Sequence, residues 1–222
     1  MAKKLSHTLI GGRTVAGTGG QTLKIGGEGR LYWKDVDEES LLPPTWNGGR
    51  GLHGGGAAAP KDRIQYIAIA STGNATDFGD IVTGRENLGA LSNGSRGVFG
   101  GGEYNLTIEY ITIASTGDST DFGDLTSVFA TPSYNASGCC NGTRGIFEGG
   151  HWDNSGDVLA YITVASTGNA IAFGALSVDR FYMATVADST RAVFAGGLIH
   201  PTKQNIIDYV AIATTGNATD FG

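Results

Sequence analysis

The chain has 222 residues, a formal net charge of -6, 40% hydrophobic and 16% charged residues, and 37 glycines. No lysine or arginine cluster is longer than Lys3-Lys4, so the acidic balance excludes broad attraction to phosphates and, with it, nucleic acid as a partner. The glycines lack the period of collagen and the apolar content is too high for a disordered chain, which leaves tight turns between short strands as their use.

At the amino terminus a short apolar run breaks at Gly11-Gly12, so neither a signal peptide nor a membrane span is expected, and the protein should be soluble and made in a cytoplasm. The glycine-rich stretch 11–20 lacks the Gly-Lys-Ser/Thr that sets a lysine on phosphates, which excludes a P-loop. Residues 1–40 fall outside the repeat described next and are expected to be an attachment or oligomerisation segment. The charged run Lys34-Asp-Val-Asp-Glu-Glu39, just before Pro43-Pro44, reads as an exposed linker.

From residue 41 onward one unit recurs four times at intervals of 44 to 51 residues, with boundaries near 41–86, 87–129, 130–181 and 182–222. Its clearest string is Ile64-Gln-Tyr-Ile-Ala-Ile-Ala-Ser71, repeated as Ile108-Glu-Tyr-Ile-Thr-Ile-Ala-Ser115, Leu159-Ala-Tyr-Ile-Thr-Val-Ala-Ser166 and Ile207-Asp-Tyr-Val-Ala-Ile-Ala-Thr214. Alternating β-branched and aromatic residues predict a strand in each copy. A phenylalanine always stands twelve residues after the tyrosine (Phe78, Phe122, Phe173, Phe221), as a tight hairpin of fixed register requires.

Upstream in each unit an arginine (Arg50, Arg96, Arg144, Arg191) precedes a buried strand that ends in a Gly-Gly pair, where positive φ or close backbone approach is expected. These arginines are expected to pair with the aspartate before each phenylalanine, although the third copy has Ala172 there. A further strand is expected at 87–92, with equivalents at Phe129-Ala-Thr-Pro and Tyr182-Met-Ala-Thr, giving four short strands per unit. The adjacent Cys139-Cys140 are read as reduced turn residues, with a strained vicinal disulfide as the alternative.

Four strands per unit, a glycine doublet ending the second and an aromatic in the third make residues 41–222 similar to kelch-type β-propellers, although no tryptophan recurs in phase. The fold expected is all-β, a kelch-like β-propeller of four four-stranded units with a non-repeat N-terminal attachment segment. Strings such as Ile108-Glu-Tyr-Ile-Thr-Ile-Ala-Ser-Thr-Gly-Asp-Ser-Thr-Asp-Phe-Gly, followed by Thr143-Arg-Gly-Ile-Phe-Glu-Gly-Gly, resemble kelch-like repeats of marine and cyanobacterial phage structural proteins. That resemblance implies a non-enzymatic virion component of the tail-fibre, head-fibre or capsid-decorating kind, assembled in the host cytoplasm. It also implies homo-oligomerisation and contact with other virion proteins through residues 1–40.

The repeated Asp-Phe-Gly at Asp77, Asp121 and Asp220 has the letters of a kinase metal-binding triplet, but no kinase catalytic loop accompanies it. Specific binding is expected instead in the loops between each Gly-Gly pair and the tyrosine strand, which differ from unit to unit. They place Tyr104, His151, Trp152, Asn154 and His200 as candidate contacts for a host-surface glycan or a protein partner, Trp152 foremost, because an aromatic flanked by Asp and Asn suits stacking on a sugar. A carbohydrate-binding or carbohydrate-active propeller and a cellular kelch-type interaction module are the alternatives. A hydrolase would draw on Glu103, Glu148, Asp153 or Asp157, among which no pair stands out. No catalytic residue, cofactor or metal is expected, since His7, His53, His151 and His200 are scattered without partners at ligand spacing.

Overall fold

Alternation of β-branched or aromatic side chains with small and polar ones runs through the chain, and the computed structural model answers it with antiparallel sheets and no helix among the described residues, which are 21–25, 31–35, 49–125, 135–150 and 157–222. Two compact parts divide at Thr45 and Trp46. In the first, β1 (Gln21–Ile25) and β2 (Leu31–Asp35) form an antiparallel hairpin, Gln21 opposite Asp35 and Ile25 opposite Leu31. Lys34 and Asp35 therefore belong to a strand and not to a linker, because the strongly β-forming Leu31-Tyr-Trp33 carries the next two residues into the ladder. The rest of the expected linker lies outside the described residues.

The second part holds the repeat. Its first sheet is β3 (Arg50–Gly54), β4 (Arg63–Ala68) and β5 (Thr76–Asp80). The second is β6 (Gly89–Ser92), β7 (Arg96–Gly100), β8 (Thr107–Thr112) and β9 (Thr120–Asp124), and the third β10 (Asn135–Cys140), β11 (Arg144–Gly150), β12 (Val158–Thr163) and β13 (Ile171–Ala175). The fourth is β14 (Ala184–Ala187), β15 (Arg191–Ala195), β18 (Ile207–Ala211) and β19 (Thr219–Asp220), with a small hairpin of β16 (Leu198–Ile199) and β17 (Thr202–Lys203) inserted between its second and third strands. Four strands per unit thus hold for three sheets, while the first has three described strands.

The fixed Tyr-to-Phe spacing is a hairpin in every unit. In the first three a register shift one residue before Gln65, Glu109 and Ala160 bends the third strand. The tyrosine and phenylalanine rings then meet edge to face at 5.7 to 6.0 Å in all four units. The glycine doublets take positive φ in the first, second and fourth units, where a Cβ on Gly102 would lie 2.5 Å from the Glu86 carbonyl oxygen.

Two expectations are corrected. The third unit's first strand is β10, and its last residues are the two cysteines, which are free thiols. Consecutive strand residues point to opposite faces, so Cys140 enters one core with Leu91, Val98 and Phe147, and Cys139 another with Ile146, Leu159 and Phe194. They are strand residues because the sheet is covered on both sides. The repeated arginines do not pair with the aspartates either. Each guanidinium lies over its own unit's tyrosine ring, 4.2 to 4.6 Å from the centroid. In the first three units it also donates to a carbonyl of the next: Arg50 to Ile113 at 2.7 Å, Arg96 to Val164 at 3.1 Å and Arg144 to Ile212 at 2.8 Å.

Each core lies between consecutive sheets, the first joining Ile64, Phe78 and Ile81 to Phe99 and Ile111. The first strands also pack in sequence, β6 on β10 and β10 on β14. A backbone interlock accompanies the packing. The last strand of each of the first three sheets would be an open edge, but the next unit's hairpin loop satisfies it. Gly117 and Ser119 donate to the carbonyls of Phe78 and Asp80, Gly168 and Ala170 to those of Phe122 and Asp124, and Gly216 and Ala218 to those of Phe173 and Ala175, all at 2.7 to 2.8 Å. Asp118, Asn169 and Asn217 return the bond, their side-chain oxygens accepting from the edge amides of Asp80, Asp124 and Ala175. Glycine is needed at the crossing: a Cβ on Gly123 would sit 2.5 Å from the Gly168 carbonyl oxygen.

Candidate functional site

Of the five candidate contact residues, the structure describes two. Tyr104 lies between β7 and β8 and His200 between β16 and β17, in corresponding loops of the second and fourth units, and both are exposed. His151, Trp152 and Asn154 fall outside the described residues. Glu103 and Tyr104 adopt positive φ (35° and 61°), an uncommon region for residues with a Cβ. Asn105 closes this turn, its amide donating to the Gly102 carbonyl at 2.7 Å and its side-chain oxygen accepting from the Thr107 amide at 2.7 Å.

Glu103 is held from two sides, by the Lys61 ammonium at 2.7 Å and the Glu86 amide at 3.2 Å. The Lys61 hydrogen bond is the main reason its carboxyl lies below the ordinary range. Lys61 belongs to the β3–β4 loop, so the ion pair ties the corresponding loops of two neighbouring units together. Beside this tie the Tyr104 ring stands exposed at the surface.

The buried carboxylates are a different matter, and sequence reasoning passed over two of them, Glu109 and Asp208. Glu109 on β8 accepts from the Arg85 guanidinium at 2.6 Å, the Val82 amide at 2.8 Å and the Ser119 hydroxyl. Burial raises the affinity of this carboxyl for its proton, but the Ser119 and Arg85 hydrogen bonds outweigh burial and hold it ionised. Arg85 spends further donors on the carbonyls of Gly101, Thr83 and Thr107. The fourth unit repeats the device: Asp208 accepts from Arg180 at 2.9 Å and from the Ser177 hydroxyl at 2.7 Å. Both pairs are almost wholly inaccessible. They latch the segment connecting two units onto the third strand of the later one, a structural use.

A signal for these latches existed. Arg85 and Arg180 each stand seven residues after the unit phenylalanine, and Glu109 and Asp208 each precede the tyrosine; in the third unit the same two positions are Phe129 and Ala160. Charge and countercharge change together into a large and a small apolar residue.

Glu148 on β11 is buried, with no cation in contact among the described residues. Its Oε1 accepts from the Ser137 hydroxyl at 2.7 Å, and its Oε2 meets no donor among the described residues. Burial pushes its carboxyl up to about 8, against the pull of the Ser137 bond and the more distant Arg180 charge, so it is largely protonated at neutral pH. At 1% exposure it cannot reach a substrate in solution.

A groove of about 450 Å³ lies on the first unit and is lined by Pro60, Asp62, Arg63, Gln65, Asp77 and Asp80. Desolvation and then the neighbouring Asp62 charge raise the Asp80 carboxyl, and Arg63 opposes them. Among the described residues no group of three or more acidic, histidine or cysteine side chains is arranged to hold a metal ion. Comparison of the chain with known proteins finds no matching family model and no matching curated relative.

Proposed function

We propose that the chain is a non-enzymatic structural protein of a virion, a kelch-like propeller that presents its loops for assembly or for attachment to a host-surface glycan. The carrying observation is a division of labour. Interior ionisable side chains such as Arg85, Glu109, Arg180 and Asp208 are consumed in latches within the repeat, whereas Tyr104 and His200, which differ from unit to unit, stand exposed in corresponding loops. A stiff repetitive body with variable loops suits recognition better than turnover.

The packing of β6, β10 and β14 in order supports a propeller arrangement of the units. Residues 1–40 would hold the particle while the repeat projects from it. Cryo-electron microscopy of purified particles tests this directly: density for the chain on capsid or tail, with Tyr104 facing solvent, is expected, and particles without it end the virion reading. Glycan-array binding by the chain, lost in Tyr104→Ala, tests the attachment role separately.

A further inference from the structure

The interface that joins consecutive units has two halves. The earlier unit contributes its edge phenylalanine and its arginine; the later one contributes two apolar residues at the end of its tyrosine strand and a hairpin loop whose glycine amide points outward. In the second, third and fourth units the apolar pair is covered: Ile111 and Ile113, Ile162 and Val164, Val210 and Ile212 are all at most 7% exposed. The equivalent Ile67 and Ile69 of the first unit are 46% and 65% exposed. At the other end Phe221 is 57% exposed, although Phe78, Phe122 and Phe173 are at most 3% exposed.

The polar groups match as well as the apolar ones. Arg191 lies over Tyr209 as its counterparts lie over their tyrosines, and by the pattern of Arg50, Arg96 and Arg144 its acceptor would be the Ile69 carbonyl. The Gly73 amide is the counterpart of Gly117, Gly168 and Gly216, and its acceptor would be the Phe221 carbonyl. A Cβ added to Gly222 meets nothing within 4 Å, whereas one on its counterpart Gly79 would collide with the Gly117 backbone at 2.4 Å.

We propose that these two surfaces bind each other between molecules: the first unit of one copy, through Ile67, Ile69 and the Ser71–Asn74 turn, docks on the Phe221 edge of a second copy, repeating across chains the contact made three times within one. Two different surfaces meet, so the association is head-to-tail and builds a ring or a fibre, not an isologous pair. The inference rests on the repeat geometry and stands independently of the particle reading.

Sedimentation velocity of the full 222-residue chain, with Ile69→Asp and Phe221→Asp as separate variants, provides the first test. Concentration-dependent species above the 22.9 kDa monomer are expected, with association weakened about tenfold or more by either substitution, since each places a charge in the centre of the contact. Ile69 is 65% exposed within one chain, so the thermal midpoint of its variant below the association range should stay near that of the parent, while Phe221→Asp, which also loses the Tyr209 ring contact, should lower it modestly. A monomer at every concentration overturns the proposal. So does assembly indifferent to both substitutions, which would place the contact elsewhere.

Discussion

Phe173 and Phe221 are the same residue in the same hairpin with the same edge-to-face tyrosine, at 6.0 and 5.7 Å between ring centres. They differ in what lies over them. Phe173 is packed against Val210 and Ile212 of the following unit and is 3% exposed, whereas Phe221 is 57% exposed. About half of an aromatic side chain of roughly 200 Å² therefore separates them, which corresponds to ~2.5 kcal/mol at ~25 cal/mol per Å². The ring-pair contribution is common to both and cancels. Phe173→Ala should cost about 3–5 kcal/mol and Phe221→Ala about 1–2 kcal/mol. Urea unfolding at 25 °C, at a protein concentration where the chain sediments as a monomer, measures both. Equal losses would refute the reasoning, because the excess at Phe173 would then not come from the neighbouring unit.

Removing one member of a buried latch should be worse than replacing both. Glu109→Ala strands the Arg85 charge and should cost about 3–5 kcal/mol, while Arg85→Phe combined with Glu109→Ala, which copies the residue types at positions 129 and 160, should recover most of the loss in the same urea assay. Glu148 makes stability depend on pH in a defined direction. Its folded carboxyl lies at about 8 against 4.5 unfolded, so below 4.5 both states hold the proton and no penalty exists. Between these values only the unfolded state releases it, and stability falls as pH rises by up to about 1.4 kcal/mol per unit before levelling above 8. Glu148→Gln should flatten that segment of the stability–pH curve; an unchanged slope would show that another group titrates. Burial pushes the Cys139 and Cys140 thiols up to about 12 and about 11, so a thiol-specific disulfide reagent should count no thiols in the native chain and two after denaturation.

The repeat, its strands and the hairpin register were legible because each rests on short-range patterns: alternation for the strands, and a spacing that one inserted residue would destroy. Partners across units were not legible. Arg50 was expected to seek Asp77, which lies in its own unit, yet it stacks on Tyr66 and reaches the Ile113 carbonyl in the next unit. A sequence shows which charges exist but not which backbone oxygens a neighbouring sheet will leave open. The cysteines were misplaced for a related reason. A pair of small residues beside Asn141-Gly142 looks like a turn until two cores, one on each face, account for both side chains. In the loops only residue types were readable: Tyr104 as an aromatic candidate, but not its left-handed backbone.

Amide hydrogen exchange tests the interlock most directly, because the hairpin loop occurs four times and only its neighbour changes. The amides of Gly117, Gly168 and Gly216, bonded to the preceding edge, should exchange at least about a hundredfold more slowly than that of Gly73 in the monomeric chain. Equal rates at all four glycines would contradict the claim that each unit seals the edge of the one before it.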